Sequence, residues 1–253
     1  MKIREKVPAV IYKDGEYKKQ DEEVVYDETS TITINNSIKR NFSTSPDSLK
    51  DFAIGYSLGE GIIRSIKDIE EIKVKNNEIK IAIPQKNPDD YNEADSIAVS
   101  DGGGGWRAKI KHVNEVESSY SLDSDVIIAN MEKLREKAIN WQKTGGVHVA
   151  VFVNKDNFIV KEDVSRHVAV DKVIGAAAIK GLDFSNSYIQ YSGRMPADMV
   201  IKIARVGIPI LVSNAAPTFS GYSVGNKANV TLVGFVRGNR FNVYTHSERI
   251  NFK

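Results

Sequence analysis

Two short blocks carry most of the residues that could do chemistry. Thr144-Gly145-Gly146-Val147-His148 is followed, thirteen residues on, by Glu162-Asp163-Val164-Ser165-Arg166-His167-Val168-Ala169-Val170-Asp171-Lys172. So many polar groups in so short a stretch suit an anionic, hydrogen-bond-rich ligand better than a plain core. Arg166 and His167 are the residues for a phosphate, because a guanidinium fork matches phosphate geometry. Gly145 and Gly146 either let the backbone approach a ligand, exposing N–H donors, or simply end a helix. His148, between Val147 and Val149, either meets the ligand or supports a neighbour that does. Asp163, Asp171 and Lys172 allow a second reading, an ion-pair network with acids placed before a helix start.

Weaker signals follow. Ser192-Gly193-Arg194 and Asn214-Ala215-Ala216-Pro217-Thr218 each come after an apolar run that reads as a strand, the position where α/β sheets bind ligands. Phe235-Val236-Arg237-Gly238-Asn239-Arg240 reads as a basic hairpin turn whose arginines suit phosphate, with Phe235 beside them for a stacked base. The four histidines, at 112, 148, 167 and 246, lack metal-ligand spacing, so no metal site is expected. No Walker-type loop is present. There is no cysteine, which excludes disulfides, thiolate metal sites and a cysteine nucleophile.

These residues need a scaffold. The chain has 253 residues, 41% hydrophobic and 27% charged, enough for one large domain or two smaller ones. Its N-terminus is polar and no apolar run reaches membrane-spanning length, so a cytoplasmic protein without a membrane span is expected. Residues 141–253 hold 14 Lys and Arg against 7 Asp and Glu, a basic half that can steer an anion.

Glu28 to Ile38 predicts a strand and a turn at Asn35-Asn36; residues 69–83 predict a hairpin around Asn76-Asn77. Between them Ser45 is a candidate N-cap and Pro46 a first helical residue, for a helix carrying Leu49, Phe52, Ala53, Tyr56 and Leu58 and ending near Gly59-Glu60-Gly61. Asp101 and four glycines, 102–105, lie in the least regular stretch and read as a mobile loop or linker. Residues 125–142 predict an amphipathic helix, 147–153 a buried strand, Asp156-Asn157 a turn and 158–161 a second strand. A helix is expected from His167 to Lys180, with Val170, Val173, Ile174 and Ala177 as its apolar face. Strands at 188–191, 208–212, 230–236 and 241–244, with helices at 196–205 and 217–225, imply a three-layer α/β domain. The expected organisation is an N-terminal α+β domain over 1–95, a Gly-rich linker over 96–124 and an α/β domain over 125–253.

From about residue 28 to residue 250 the chain resembles the formate dehydrogenase accessory protein family, FdhD/NarQ. The resemblance is carried by Phe52 to Ile63, by TGGVH, by EDVSRHVAVDKVIG (with Ser165 and Val168 in place of the family's glycine and asparagine), by Ser192-Gly193-Arg194, by Ala215-Ala216-Pro217-Thr218 and by residues 232–250. It implies a cytidine deaminase-like three-layer domain beside a smaller N-terminal one. It also implies a sulfur carrier or sulfurtransferase acting in molybdenum cofactor maturation. Such a protein takes sulfur from a cysteine desulfurase and serves the bis-molybdopterin guanine dinucleotide of a formate dehydrogenase-type molybdoenzyme. By this resemblance Gly145, Gly146, His148, Arg166, His167, Ser192, Arg194 and the Phe235–Arg240 turn would hold that cofactor or a GDP-like nucleotide. A homodimer is expected, and no nucleic-acid or membrane partner. In one respect the chain departs from the family. Asp101 and Gly104 stand where sulfur-carrying members have the two cysteines of a C-G-x-C-G loop, and persulfide relay needs a thiolate. No residue of this chain is therefore expected to be catalytic in sulfur relay.

Overall fold

A computed structural model describes residues 2–84 and 113–252. The glycine segment with Asp101 and Gly104 lies outside the described residues.

Three hairpins open the chain, each turned by residues that tolerate positive φ. Asp14 and Gly15 (φ 53° and 89°) join β1 (Arg4–Lys13) to β2 (Glu16–Val25), a two-stranded ribbon on its own. Asn35 and Asn36 (φ 49° and 54°) join β3 (Glu28–Ile34) to β4 (Ile38–Thr44). Helix α1 (Leu49–Gly59) then crosses over, and Asn76 (φ 52°) turns β5 (Glu71–Lys75) into β6 (Glu78–Ala82). The sheet order is β4-β3-β6-β5, with β3 and β6 parallel. Ile32, Ile34, Ile79 and Ile81 lie on its buried face, in one core with Phe52 of α1. Phe42 meets Phe52 and Tyr56 edge-on, at 5.1 and 4.9 Å between ring centroids.

The second half is built on a six-stranded sheet in the order β13-β12-β11-β10-β8-β9. It follows β7 (Leu122–Asp123), α2 (Ser124–Lys137) and α3 (Ile139–Thr144). The elements are β8 (His148–Asn154), β9 (Asn157–Asp163), α4 (Arg166–Ile179), β10 (Ser187–Tyr191), α5 (Ala197–Arg205), β11 (Ile210–Ser213), α6 (Phe219–Lys227), β12 (Thr231–Arg237) and β13 (Arg240–Val243). A short β14 (Ile250–Asn251) pairs with β7. Strands β10, β11 and β12 are parallel, and β8, β9 and β13 antiparallel to their neighbours. Alternation divides the side chains between two faces. Val149, Val151, Tyr188 and Val212 share a cluster with Ile127, Met131 and Leu134 of α2; Ala150, Phe152, Ile189 and Leu211 share the larger cluster with α4, α5 and α6. The fold is thus mixed α/β, with helices on both faces of its main sheet. Among the described residues no helix is long and apolar enough to cross a membrane.

Several sequence expectations need correction. The β1–β2 ribbon was not foreseen. Ser45 is not the cap of α1; Ser48, in left-handed conformation, precedes it, and Ser45 instead bonds Asp163. The helix expected over 125–142 breaks at Ala138. The turn between β8 and β9 is Lys155-Asp156, one residue early. Helix α4 has no exposed face through its middle: residues Val168 to Ala177 are all buried.

That burial comes from α1, which crosses α4 backbone to backbone. A Cβ on Gly55 would stand 1.8 Å from the Asp171 carbonyl oxygen, and one on Gly175 1.9 Å from that of Asp51. Gly55→Ala or Gly175→Ala should therefore force the helices apart, at or above the ~1–3 kcal/mol usual for overpacking. Urea unfolding measures this; an unchanged midpoint would mean that the two helices do not touch.

Candidate functional site

The sheet's connectivity gathers one set of loops at one end. The carboxyl ends of β10, β11 and β12 lead into Ser192-Gly193-Arg194, Asn214-Ala215-Ala216 and the turn after Arg237. Because β8 runs against β10, its first residue, His148, lies at that same end, where the Ser192 N–H bonds the Val149 carbonyl at 3.0 Å. His148 also pairs in register with Asp163, the last residue of β9, so α4 begins there with Arg166 and His167. The loops are tied to one another. Met195 N–H bonds the Ala216 carbonyl at 3.1 Å, Thr218 N–H the Met195 carbonyl at 3.1 Å, and Phe235 N–H the Ala215 carbonyl at 3.0 Å.

The dense second block divides in two. Its acids and lysine turn inward. Lys172, fully buried, places Nζ 2.7 Å from Asp163 Oδ2 and 2.8 Å from Asp47 Oδ1, and also bonds the Ser45 carbonyl at 3.3 Å. Asp163 Oδ2 accepts the Ser45 N–H at 3.0 Å and Oδ1 the Ser165 N–H at 2.8 Å. Burial raises the Asp163 pKa, against the pull of Lys172. Asp171, one residue before, pairs with the equally buried Lys202; burial pushes its pKa up to about 7, while Lys202 pulls it down. Glu162 takes the Asn140 and Trp141 N–H groups at 3.0 and 2.7 Å, at the start of α3. The ion-pair reading thus holds for Asp163, Asp171 and Lys172.

Arg166 and His167 stay at the rim. Arg166 lies across Gly193, where a Cβ would meet its Cδ at 3.0 Å, and its Nε is buried without a hydrogen-bond partner. His167 Nε2 is buried too and 3.6 Å from Asp198 Oδ2, too far for a hydrogen bond. Burial, then Lys202, Arg166 and His148, lower the His167 pKa to about 3, so the imidazole is neutral at pH 7. His148 Nδ1 lies 3.1 Å from Ser192 Oγ, which also accepts the Val149 N–H; burial and then Arg166 lower its pKa as well. Asp198, in the first turn of α5, is raised by burial. Two neutral imidazoles beside a guanidinium offer directed hydrogen bonds without further cationic repulsion.

The other expected residues are less uniform. Gly145 is the left-handed cap of α3 (φ 63°), its N–H bonded to Trp141, and the Gly146 N–H bonds Thr144 Oγ1. Their donors are thus engaged within the chain. Val236 faces the α2 side of the sheet, in the smaller core. Arg194, Arg237, Gly238, Asn239 and Arg240 are exposed. Phe235 holds φ 55° at a bulge in β12, an unusual conformation for a bulky side chain. The Arg237 guanidinium lies 5.4 Å over its ring, and Nε bonds the Asn214 carbonyl at 3.2 Å. Sequence reasoning missed Asp198 and Lys202; nothing in their spacing links them to residues some thirty positions earlier.

Fold and site together define an α/β protein with cationic and imidazole groups at the carboxyl end of its sheet. The sequence model of the FdhD/NarQ family matches residues 25–251, and the chain belongs to that family. It is 46% identical to the sulfur carrier protein FdhD of Methanothermobacter thermautotrophicus, over 94% of this chain and 95% of that one. With the protein of the same name from Sulfolobus acidocaldarius it shares 34% identity, over 99% and 100%. A crystal structure from Desulfotalea psychrophila, assigned as a formate dehydrogenase accessory protein, superposes with a TM-score of 0.82 at 26% identity, covering 99% of this chain and 100% of that one.

The depressed His167 pKa fixes the sign of a pH effect. Its contribution to stability is present above the ordinary pKa near 6.5 and is lost as pH falls toward 3. Asp171, raised, works in the opposite direction, losing stability as pH rises through 7. His167→Gln should therefore gain on the native protein between pH 7 and pH 4.5, by on the order of 1–2 kcal/mol in urea unfolding. A gap that does not change with pH would mean that His167 titrates as freely folded as unfolded.

Proposed function

We propose that the chain binds molybdopterin guanine dinucleotide, or its GDP-like portion, at the carboxyl-end rim and assists maturation of a formate dehydrogenase-type molybdoenzyme in the cytoplasm. The observation that carries this reading is the convergence of Arg166, His167, Ser192, Arg194 and the Phe235–Arg240 turn on one end of the sheet, where Arg166 Nε and His167 Nε2 are left without partners. Both atoms are buried, so an acceptor-rich ligand would satisfy them only where neighbouring side chains move aside, and an unsatisfied buried polar atom is costly to keep. The cytidine deaminase-like scaffold belongs to the same proposal, supported by the helices on both faces of the sheet. Deaminase chemistry does not: its zinc site needs cysteines and a His-x-Glu, and His148 is followed by Val149-Ala150.

The chain's own residues then bind and orient the cofactor. Arg237, braced on Asn214 through Nε, keeps its terminal nitrogens for phosphate, with Phe235 beneath. Relatives bear the name sulfur carrier, yet this chain has no cysteine. Any sulfur that reaches the cofactor here travels on a partner's thiol, with a cysteine desulfurase as the donor.

Isothermal titration with GDP tests the reading. Charge-assisted bonds to phosphate are worth about 1.5–3 kcal/mol each, so Arg237→Ala or Arg240→Ala should weaken binding about ten- to a hundredfold and leave folding nearly unchanged. Arg237→Lys should recover only part of the loss, since an ammonium lacks the fork. No heat with GDP up to the millimolar range would overturn the proposal.

A further inference from the structure

Phe219 is the most exposed large apolar side chain among the described residues, at 83%. It opens α6, and Tyr222, also exposed, follows one turn later. Their ring centroids are 6.4 Å apart, with the planes inclined by 30°. Their outward direction is built into the helix. A Cβ on Gly221 would stand 2.0 Å from the Met195 carbonyl oxygen, so this glycine presses on the loop before α5. At about 100° per residue, Phe219 lies roughly opposite Gly221, and Tyr222 falls on the same side as Phe219.

The loop that leads into α6 is part of the rim. The Thr218 N–H bonds the carbonyl of Met195, the residue after Arg194, at 3.1 Å, and Arg237 Nε rests on the Asn214 carbonyl at 3.2 Å. Asn214 and Phe219 are five residues apart, at most about 18 Å even in an extended chain. Hydrogen bonds to Met195 and Phe235 fold that loop back and shorten the span. The ring nearest Arg237, Phe235, is half-buried and already carries the Arg237 guanidinium 5.4 Å from its centroid. A ring face held by a cation is not open to a base. The Phe219 ring stands in water.

We propose that Phe219, backed by Tyr222, is the stacking platform for the base of the nucleotide whose phosphates lie on Arg237. The inference rests on the reading of the rim as a nucleotide site, and it moves the base contact from Phe235 to the start of α6. Stacking takes both the ring and the base out of water, and it favours any planar base, so the platform supplies affinity and leaves the choice of base to other groups.

Calorimetric titration of the full chain with GDP and with inorganic pyrophosphate separates the base from the phosphates. The native chain should bind GDP more tightly than pyrophosphate. Phe219→Ala with Tyr222→Ala should weaken GDP binding about five- to a hundredfold, the range of a lost base–aromatic stack, and leave pyrophosphate binding unchanged. Both rings are exposed, so the melting temperature should hold. Phe219→Trp should keep the GDP affinity and add a fluorescence that GDP quenches and pyrophosphate does not. Native GDP affinity in the double variant, or an equal loss for both probes, would overturn the proposal. So would a native chain that binds pyrophosphate as tightly as GDP; each of these results would leave the rim an anion site. A native chain that binds neither probe would instead overturn the nucleotide reading itself, and this inference with it.

Discussion

The contact on which the rest of the structure depends is the crossing of α1 and α4 at Gly55 and Gly175. Each glycine presses on the other helix's backbone, on the Asp171 and Asp51 carbonyls. The crossing joins the four-stranded sheet to the six-stranded one in a single apolar cluster. It also fixes the axis of the helix whose first turn carries Arg166 and His167. The rim is therefore aimed from below: a shift of α4 along α1 would move both residues relative to Ser192 and His148.

The crossing would be weak as an apolar contact alone, because α4 carries two ionisable side chains, Asp171 and Lys172, on its buried middle. Lys172 is neutralised by Asp163 and Asp47, and Asp171 by Lys202. These pairs reach three separate elements: the segment before α1, the end of β9, and α5. Buried pairs add little net stability over apolar replacements, but losing one partner typically costs about 3–5 kcal/mol. Their effect here is on register, since only one placement of α4 satisfies both charges at once. Burial around the same network is also what leaves His167 neutral, so the electrostatics of the rim follow from the packing beneath it.

Much of the fold was legible because it rests on local signals. The Asn35-Asn36 and Asn76 turns and the apolar runs of β8, β10, β11 and β12 announce themselves through residue type. The β1–β2 ribbon did not: charges and apolar residues alternate on both its faces, and neither face meets a core. Helix α4 is marked in the sequence by the apolar face of Val170, Val173, Ile174 and Ala177, and only tertiary partners put Asp171 and Lys172 inside as well. The break at Ala138 has no proline or glycine to mark it. For the site, an anion-binding role for Arg166 and His167 and an ion-pair network of Asp163, Asp171 and Lys172 were both legible as readings of the Glu162–Lys172 block, but not the partners that turn one group inward and leave the other at the rim. That division depends on Asp47, Asp198 and Lys202, residues that only the folded chain brings near.

The proposed function requires a ligand site at the carboxyl end of the main sheet of this cysteine-free chain. Hydrogen–deuterium exchange with and without saturating GDP tests it most directly. Slower exchange confined to residues 165–168, 192–195, 214–218 and 235–240 is the predicted result. Unchanged exchange there, or protection appearing only elsewhere in the chain, would contradict it.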